Sequence, residues 1–348
     1  MHSVLDQPTR LADWLRRDLT AWLERYRGLR LVRLLDERMA ALQKQGRIGF
    51  YGACTGQEAV VVGTACALAA DDWVFPALRE SSLMLLRGFG LTDYLAQLFG
   101  TRRDVLKGRQ MPCHQSARSV NQVSWSSCVG SQLTHAVGAG WAAKMRGANH
   151  ATVAFLGDGA TSTADFHAAL NFAAVFKVPV VFVCQNNQYA ISVPAERQTR
   201  SSTLAAKAAT YGVAAVRVDG NDVLAVEEGI ASARSVTVAE RRPFFVECLT
   251  YRMAPHSSSD DPSRYRSASE VSLWQQRDPI DRLLRALHQH PTFNQEELAD
   301  IDQTLRQRLD TAIAEVEADA PPERSSLFDD VYATLPWHLV EQRRDAEG

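Results

Sequence analysis

The chain has 348 residues, 46% of them hydrophobic and 22% charged, with a formal net charge of −2. That balance gives no electrostatic reason to expect a nucleic-acid or membrane partner, and the length can bury one large core or two smaller ones. No apolar run approaches the roughly 18 residues a membrane span needs, and residues 1–30 lack an apolar signal core, so a cytoplasmic or organellar-matrix protein is expected. Cys54, Cys66, Cys113, Cys128, Cys184 and Cys248 include no C-x-x-C pair, which fits reduced thiols in such a compartment.

Residues 10–45 carry Leu11, Trp14, Leu15, Leu19, Trp22, Leu23, Tyr26, Leu29, Val32 and Leu35 as a broad apolar stripe. This predicts a helical arm that packs on its own domain or on another subunit. Gly56-Gln57-Glu58 opens a further helix, and Asp71–Pro76 reads as a short strand. Arg79 follows at a strand-to-helix junction, where it can grip a phosphate or form a surface ion pair. Residues 101–128 have few periodic apolar positions and read as a long loop, a feature that is often functional. Ser131–Lys144 is expected to be a helix lined by small residues such as Ala136, Gly138 and Gly140.

The most informative stretch is Thr152–Ser192, TVAFLGDGATSTADFHAALNFAAVFKVPVVFVCQNNQYAIS. Val153–Leu156 suits a buried strand, Gly157-Asp158-Gly159 breaks it at a tight turn, and apolar spacing predicts a helix over 164–176. Pro179 ends that helix, and Val178–Cys184 reads as a second strand covered on both faces of a parallel sheet. In a right-handed βαβ unit both strand ends open on one edge, so Asp158 and Asn186-Asn187 face one crevice. A carboxylate, an amide oxygen and a nearby backbone carbonyl form an oxygen set that suits Mg²⁺ shared with substrate phosphates. Gly159, Ala160 and the following helix amino end offer N–H groups to a phosphate. Taken alone, Gly-Asp-Gly also fits an ordinary βα turn. The dinucleotide fingerprint fails because Ser162 stands at its third glycine, and no phosphate-loop Gly-Lys-Ser/Thr pattern occurs.

Ala214–Val218 and Pro243–Tyr251 read as further strands, separated by the turn Asp219–Asp222 and a helix. The second of these strands runs into Arg252 and His256, which reach the Asp158 crevice if the sheet is parallel. Ser257–Asp261 is a polar loop, either a flexible cap or a segment ordered by cofactor or phosphorylation. From Glu270 the chain reads as helices with charged faces, interrupted by Pro321-Pro322.

Over roughly residues 45–345 the sequence resembles the α subunit of the thiamine-dependent decarboxylating component of 2-oxo acid dehydrogenase complexes. The carrying segments are FYGACTGQEA, GRQMPCH, the GDG and QNNQYAIS pair, VDGNDV and YRMAPHSSSDDPSRYRS. The tetrapeptide Gly108–Met111 with Pro112, and Ser259–Asp261, resemble branched-chain enzymes more than pyruvate enzymes. The resemblance implies an α/β thiamine-diphosphate-binding fold, a mostly parallel sheet with helices on both faces. Together with the helical patterns at either end, it divides the expected chain into a helical arm over 1–48, a phosphate-binding domain over 49–267 and a C-terminal helical region over 268–348 packed on the same domain.

By the same resemblance Asp158 and Asn187 ligate Mg²⁺ through their side chains and Tyr189 through its carbonyl. Gly159 and Ala160 meet the diphosphate, Arg79, Arg252 and His256 line the phosphate end or mouth, and Ser127 and Val129 sit near the aminopyrimidine. His114 becomes a loop contact, and a K⁺ site falls near Ser126, Ser131 and Gln132, where Cys128 replaces the usual proline. His256 is the implied catalytic residue, in oxidative decarboxylation of a 2-oxo acid with acyl transfer to a lipoyl arm. The implied partners are a β subunit, in an assembly of two α and two β chains, and a lipoylated acyltransferase core. Three positions depart from the pattern: Gln185 replaces an arginine, Leu78 an aromatic residue or histidine, and Ala254-Pro255 a small residue–histidine pair. A pyruvate or acetoin dehydrogenase α subunit, a non-catalytic paralogue with weakened cofactor binding, and a nucleotide-dependent enzyme are the alternative readings.

Overall fold

A computed structural model describes residues 1–257 and 259–347, so Ser258 of the polar loop lies outside the described residues. The chain opens with α1 (Pro8–Leu15) and α2 (Leu19–Lys44). The arm is therefore two helices where the apolar stripe predicts one. Asp18 separates them, because its carboxylate accepts the Thr20 N–H at 2.7 Å and so starts a new helix. Next come α3 (Glu58–Ala67), β1 (Trp73–Phe75), α4 (Leu83–Leu86) and α5 (Leu91–Phe99). The long loop follows, with a single 3₁₀ turn at Arg118–Val120, and leads into α6 (Ser131–Met145).

The central unit runs β2 (Thr152–Gly157), a 3₁₀ turn (Asp158–Ser162), α7 (Ala164–Val175) and β3 (Val180–Asn186). A small hairpin, β4 (Tyr189–Ala190) and β5 (Val193–Pro194), is followed by α8 (Ala195–Gln198) and α9 (Leu204–Ala209). Then come β6 (Ala214–Asp219), α10 (Val223–Glu240) and β7 (Phe244–Leu249). The chain closes with α11 (Ala268–Gln275), α12 (Pro279–Leu287), α13 (Glu296–Glu317) and α14 (Trp337–Glu347).

Five strands form one parallel sheet in the order β1-β2-β3-β7-β6. Alternate residues of each strand enter two different cores, which is why the strands read as unbroken apolar runs. Val153, Phe155, Val181, Val183 and Val246 face a core shared with α2, α3, α10, α12 and α13. Ala154, Leu156, Val180, Phe182 and Phe245 face a second core built with α6, α7 and α9. The arm packs at home: α2 lies on α3, α12 and α13, and Arg25 makes a bidentate ion pair with Glu227 of α10. No described helix is long and apolar enough to cross a membrane.

Candidate active site

The register pairs Gly157 with Gln185 and Gln185 with Cys248, so β2, β3 and β7 end along one edge of the sheet. Asp158, Asn186-Asn187 and Thr250–Arg252 leave from that edge, as parallel pairing requires. The α7 amino end does not follow directly. The 3₁₀ turn intervenes, and Thr163 caps α7 by accepting the Phe166 N–H at 3.3 Å. The segment nearest Asp158 is thus the turn carrying Gly159 and Ala160, a correction to the expectation of a helix terminus there.

Asp158 is 1% exposed, and burial pushes its carboxyl above the usual range. Opposing that shift are the Gln198 side chain, whose Nε2 donates to Asp158 Oδ2 at 2.7 Å, the Asn187 N–H and the positive charge of Arg252. No cation lies within ion-pair distance of Asp158 among the described residues. Asn187 donates through Nδ2 to Gln57 Oε1 at 3.0 Å, leaving its Oδ1 to accept the Tyr189 N–H at 3.3 Å. The Tyr189 carbonyl accepts from Arg252 Nη1 at 3.2 Å, and its second lone pair leaves room for another contact. The β4–β5 hairpin folds over the 3₁₀ turn so closely that a Cβ on Gly159 would come within 2.7 Å of Ala190 Cβ. Glycine is therefore required at that position.

Arg79, Arg252 and His256 do come together. Arg79 is 6% exposed, donates to the Ala53 carbonyl and to the His256 carbonyl at 3.0 Å, and lies 3.3 Å from His256 Nδ1. It has no ion pair among the described residues, so the surface ion-pair reading of Arg79 fails. Burial and the neighbouring Arg252 push its guanidinium down to about 10. Arg252, 1% exposed, donates to the Ile191 carbonyl at 2.7 Å and to Tyr265 Oη at 2.9 Å. Half-burial, then Arg79 and Arg252, push the His256 imidazole down to about 4, against the weaker pull of Asp260. Asp260 links His256 to Tyr265, its Oδ2 accepting from His256 N at 2.7 Å and from Tyr265 Oη at 2.5 Å.

Ser127 and Val129 lie on the exposed end of the long loop, and no hydrogen bond joins either to Arg79, Arg252 or His256 among the described residues. Ser127 instead meets His114, whose Nε2 lies 2.8 Å from its Oγ. At the suggested K⁺ position Ser126, Cys128 and Ser131 bond to one another, and Gln132 bonds to β2. Ser131 Oγ donates to the Cys128 carbonyl at 2.8 Å, the Cys128 N–H donates to Ser126 Oγ at 3.1 Å, and Gln132 Nε2 donates to the Phe155 carbonyl at 2.9 Å.

Sequence reasoning missed Gln57, Gln198, Asp260 and Tyr265 as members of this site. Gln57 stands in the GQE segment already singled out, whereas Gln198 lies on a one-turn helix with no periodic signal. Asp36 of α2 was missed as well. It accepts from Tyr51 Oη, Cys54 N and Thr55 Oγ1 at 2.7–2.8 Å, fixing the loop whose Ala53 carbonyl holds Arg79.

Several buried polar atoms around the crevice have no partner among the described residues: Gln57 Nε2, both side-chain polar atoms of Gln185, Gln198 Oε1 and Arg252 Nε. Orphaned buried groups of this kind normally find a ligand or water. No cluster of three or more His, Cys, Asp or Glu side chains could hold a metal among the described residues. A cation here would therefore rest on one carboxylate plus neutral oxygens, with further ligands from a phosphate or water, a donor set that suits Mg²⁺.

The profile of the family described as dehydrogenase E1 component matches residues 26–325. The chain is 39% identical over 345 residues to 2-oxoisovalerate dehydrogenase subunit alpha 1, mitochondrial, of Arabidopsis thaliana, covering 98% of this chain and 73% of that protein. It is 40% identical over 322 residues to 2-oxoisovalerate dehydrogenase subunit alpha, mitochondrial, of Bos taurus, covering 92% and 71%. Against the Caenorhabditis elegans protein of the same name it is 38% identical over 328 residues, covering 94% and 76%.

Proposed function

The chain belongs to the dehydrogenase E1 component family, and on that premise we propose that it is the α chain of a thiamine-diphosphate-dependent branched-chain 2-oxo acid dehydrogenase. The observation that carries this reading is the meeting, at one sheet edge, of an unpaired buried carboxylate at Asp158 with the Arg79, Arg252 and His256 cluster. Support for the branched-chain type comes from relatives named as acting on 2-oxoisovalerate.

Asp158, Asn187 and the Tyr189 carbonyl would hold Mg²⁺, and Gly159 and Ala160 would meet the diphosphate. When bound, the cofactor supplies a carbon nucleophile and an electron sink for decarboxylation. The chain's own groups orient and neutralise around it. Arg79 and Arg252, buried and without carboxylate partners among the described residues, favour an anion between them. His256 is held neutral, so its ring offers both a donor and an acceptor nitrogen near that anion. It would orient reacting groups and receive the lipoyl arm. The relatives' designation as alpha subunits supports a β partner, and we assign two α and two β chains, with a lipoylated acyltransferase as acceptor.

The test is co-production with a candidate β chain and an artificial-acceptor assay across 2-oxoisovalerate, 2-oxoisocaproate, pyruvate and acetoin. Highest kcat/KM on the branched acids supports the assignment, and a preference for pyruvate or acetoin overturns it. Calorimetry with thiamine diphosphate and Mg²⁺ separates out the non-catalytic alternative, in which no binding would be seen. His256→Ala should retain cofactor binding while lipoyl acylation falls.

A further inference from the structure

One face of α2 reaches the site. Asp36 is 3% exposed and has no cation within ion-pair distance among the described residues, while Arg33, one turn earlier, pairs with Glu58 and Asp278. A desolvated carboxylate with only neutral partners is costly to keep. Its three partners all belong to one short segment. Oδ1 accepts from Tyr51 Oη at 2.8 Å, and Oδ2 accepts from Cys54 N at 2.7 Å and from Thr55 Oγ1 at 2.8 Å. Ala53 lies between these anchors, and its carbonyl receives the Arg79 guanidinium. The segment also touches two other corners of the site. The Thr55 carbonyl accepts the Met253 N–H at 3.1 Å and the Gly56 carbonyl accepts from Thr250 Oγ1 at 2.9 Å, so the chain is fastened on either side of Arg252. Gln57 Oε1 accepts from Asn187 Nδ2 at 3.0 Å. Gly56 has φ +94°, and a Cβ there would come within 2.4 Å of the Tyr251 carbonyl oxygen, so the two chain segments pass in close contact. Glu58 completes the attachment, its Oε2 accepting the Gly56 N–H at 2.9 Å while Oε1 pairs with Arg33. Arg33 and Asp36 are three residues apart on a helix and therefore share a face.

We propose that Asp36 is a positioning residue for Arg79: through the segment 51–57 it sets where that guanidinium stands relative to Arg252 and His256. Two buried guanidinium groups repel each other when no anion lies between them. A carbonyl on a loose loop would let Arg79 withdraw, whereas the anchored Ala53 carbonyl keeps it in place before the anion arrives. The helical arm thus contributes to anion binding without touching the anion. The proposal rests on the functional reading above, in which that anion is the cofactor's diphosphate.

The experiment uses the complex with the β chain and measures calorimetric Kd values for thiamine diphosphate with Mg²⁺, with Arg79 present and in an Arg79→Met background. Asp36→Ala is expected to raise Kd about tenfold when Arg79 is present and by less than about threefold in Arg79→Met, because residues that act through one another are not additive. A residue that only stabilises the fold would shift Kd by the same factor in both. Asp36→Asn should bring Kd back to within about threefold of the parent, since its amide oxygen can serve Cys54 and Thr55 while its NH₂ donates to Tyr51 Oη. Thr55→Val removes one of the three bonds with little change of shape, and it decides the matter if Asp36→Ala does not assemble. It is expected to raise Kd about threefold with Arg79 and to leave it unchanged in Arg79→Met. Equal factors in both backgrounds, or an unchanged Kd in both Asp36→Ala and Thr55→Val, overturn the proposal while leaving the functional reading standing. Absence of thiamine diphosphate binding to the parent complex overturns both.

Discussion

Gln185→Met is expected to stabilise the free protein and weaken its hold on cofactor. Gln185 is 2% exposed at the end of β3, beside Gly157, and neither its Nε2 nor its Oε1 has a partner among the described residues. An unsatisfied buried polar group costs about 1–3 kcal/mol, and methionine has nearly the same volume, so no cavity offsets the gain. A gain of about 2 kcal/mol in a chain of this length raises Tm by about 3 °C. If the amide is kept to contact the diphosphate, its loss removes a bond to a charged group, about 1.5–3 kcal/mol, or roughly tenfold to a hundredfold in Kd. Differential scanning calorimetry without cofactor and titration calorimetry with it read the two halves separately. A lowered Tm would refute the burial argument. A raised Tm with unchanged cofactor Kd would show that the amide does not serve the cofactor.

Gly159→Ala should destabilise by about 1–3 kcal/mol and weaken cofactor binding, because the new Cβ would lie 2.7 Å from Ala190 Cβ; urea unfolding and titration calorimetry would record both, and a neutral result would refute the close approach of hairpin and turn. Asp158→Asn replaces a desolvated carboxylate with a neutral amide, so thermal stability without cofactor should rise while the Mg²⁺-dependent gain in Tm on adding thiamine diphosphate disappears. A gain of parental size in that variant would exclude Asp158 as a metal ligand. The His256 imidazole lies at about 4 in the folded chain against 6.5 for a free one. The unfolded chain therefore takes up the proton first, and stability is lost as pH falls from 6.5 towards 4. Discounted for partial exposure, the loss is about 1–2 kcal/mol, and His256→Gln should flatten that part of the stability–pH curve measured by urea unfolding.

Most of the fold is legible from local chemistry. The strands at 152–157 and 180–186 are short apolar runs ended by Gly or by polar residues, and both faces of such runs must be covered, which specifies a parallel sheet flanked by helices. Asp158 and Asn187 are legible for the same reason, since residues just beyond parallel strands share an edge whatever the side chains do. The arm was harder to read, because its apolar stripe runs through Asp18 without a phase break and only the cap divides it.

The sequence by itself therefore determined the sheet, the turn carrying Asp158 and the edge on which a ligand would sit. Tertiary structure alone decided which polar groups serve that edge. Gln198 reaches Asp158 from 40 residues away, Gln57 reaches Asn187 across 130, and Arg79 meets His256 across 177. Apolar burial leaves a period in the sequence because it acts on every turn of a helix or strand. A single hydrogen bond between distant loops leaves none, because it depends only on where the finished core places two side chains. Gln185 shows the division most plainly, since its position is fixed by strand register and its missing partners are evident only once the chain is folded.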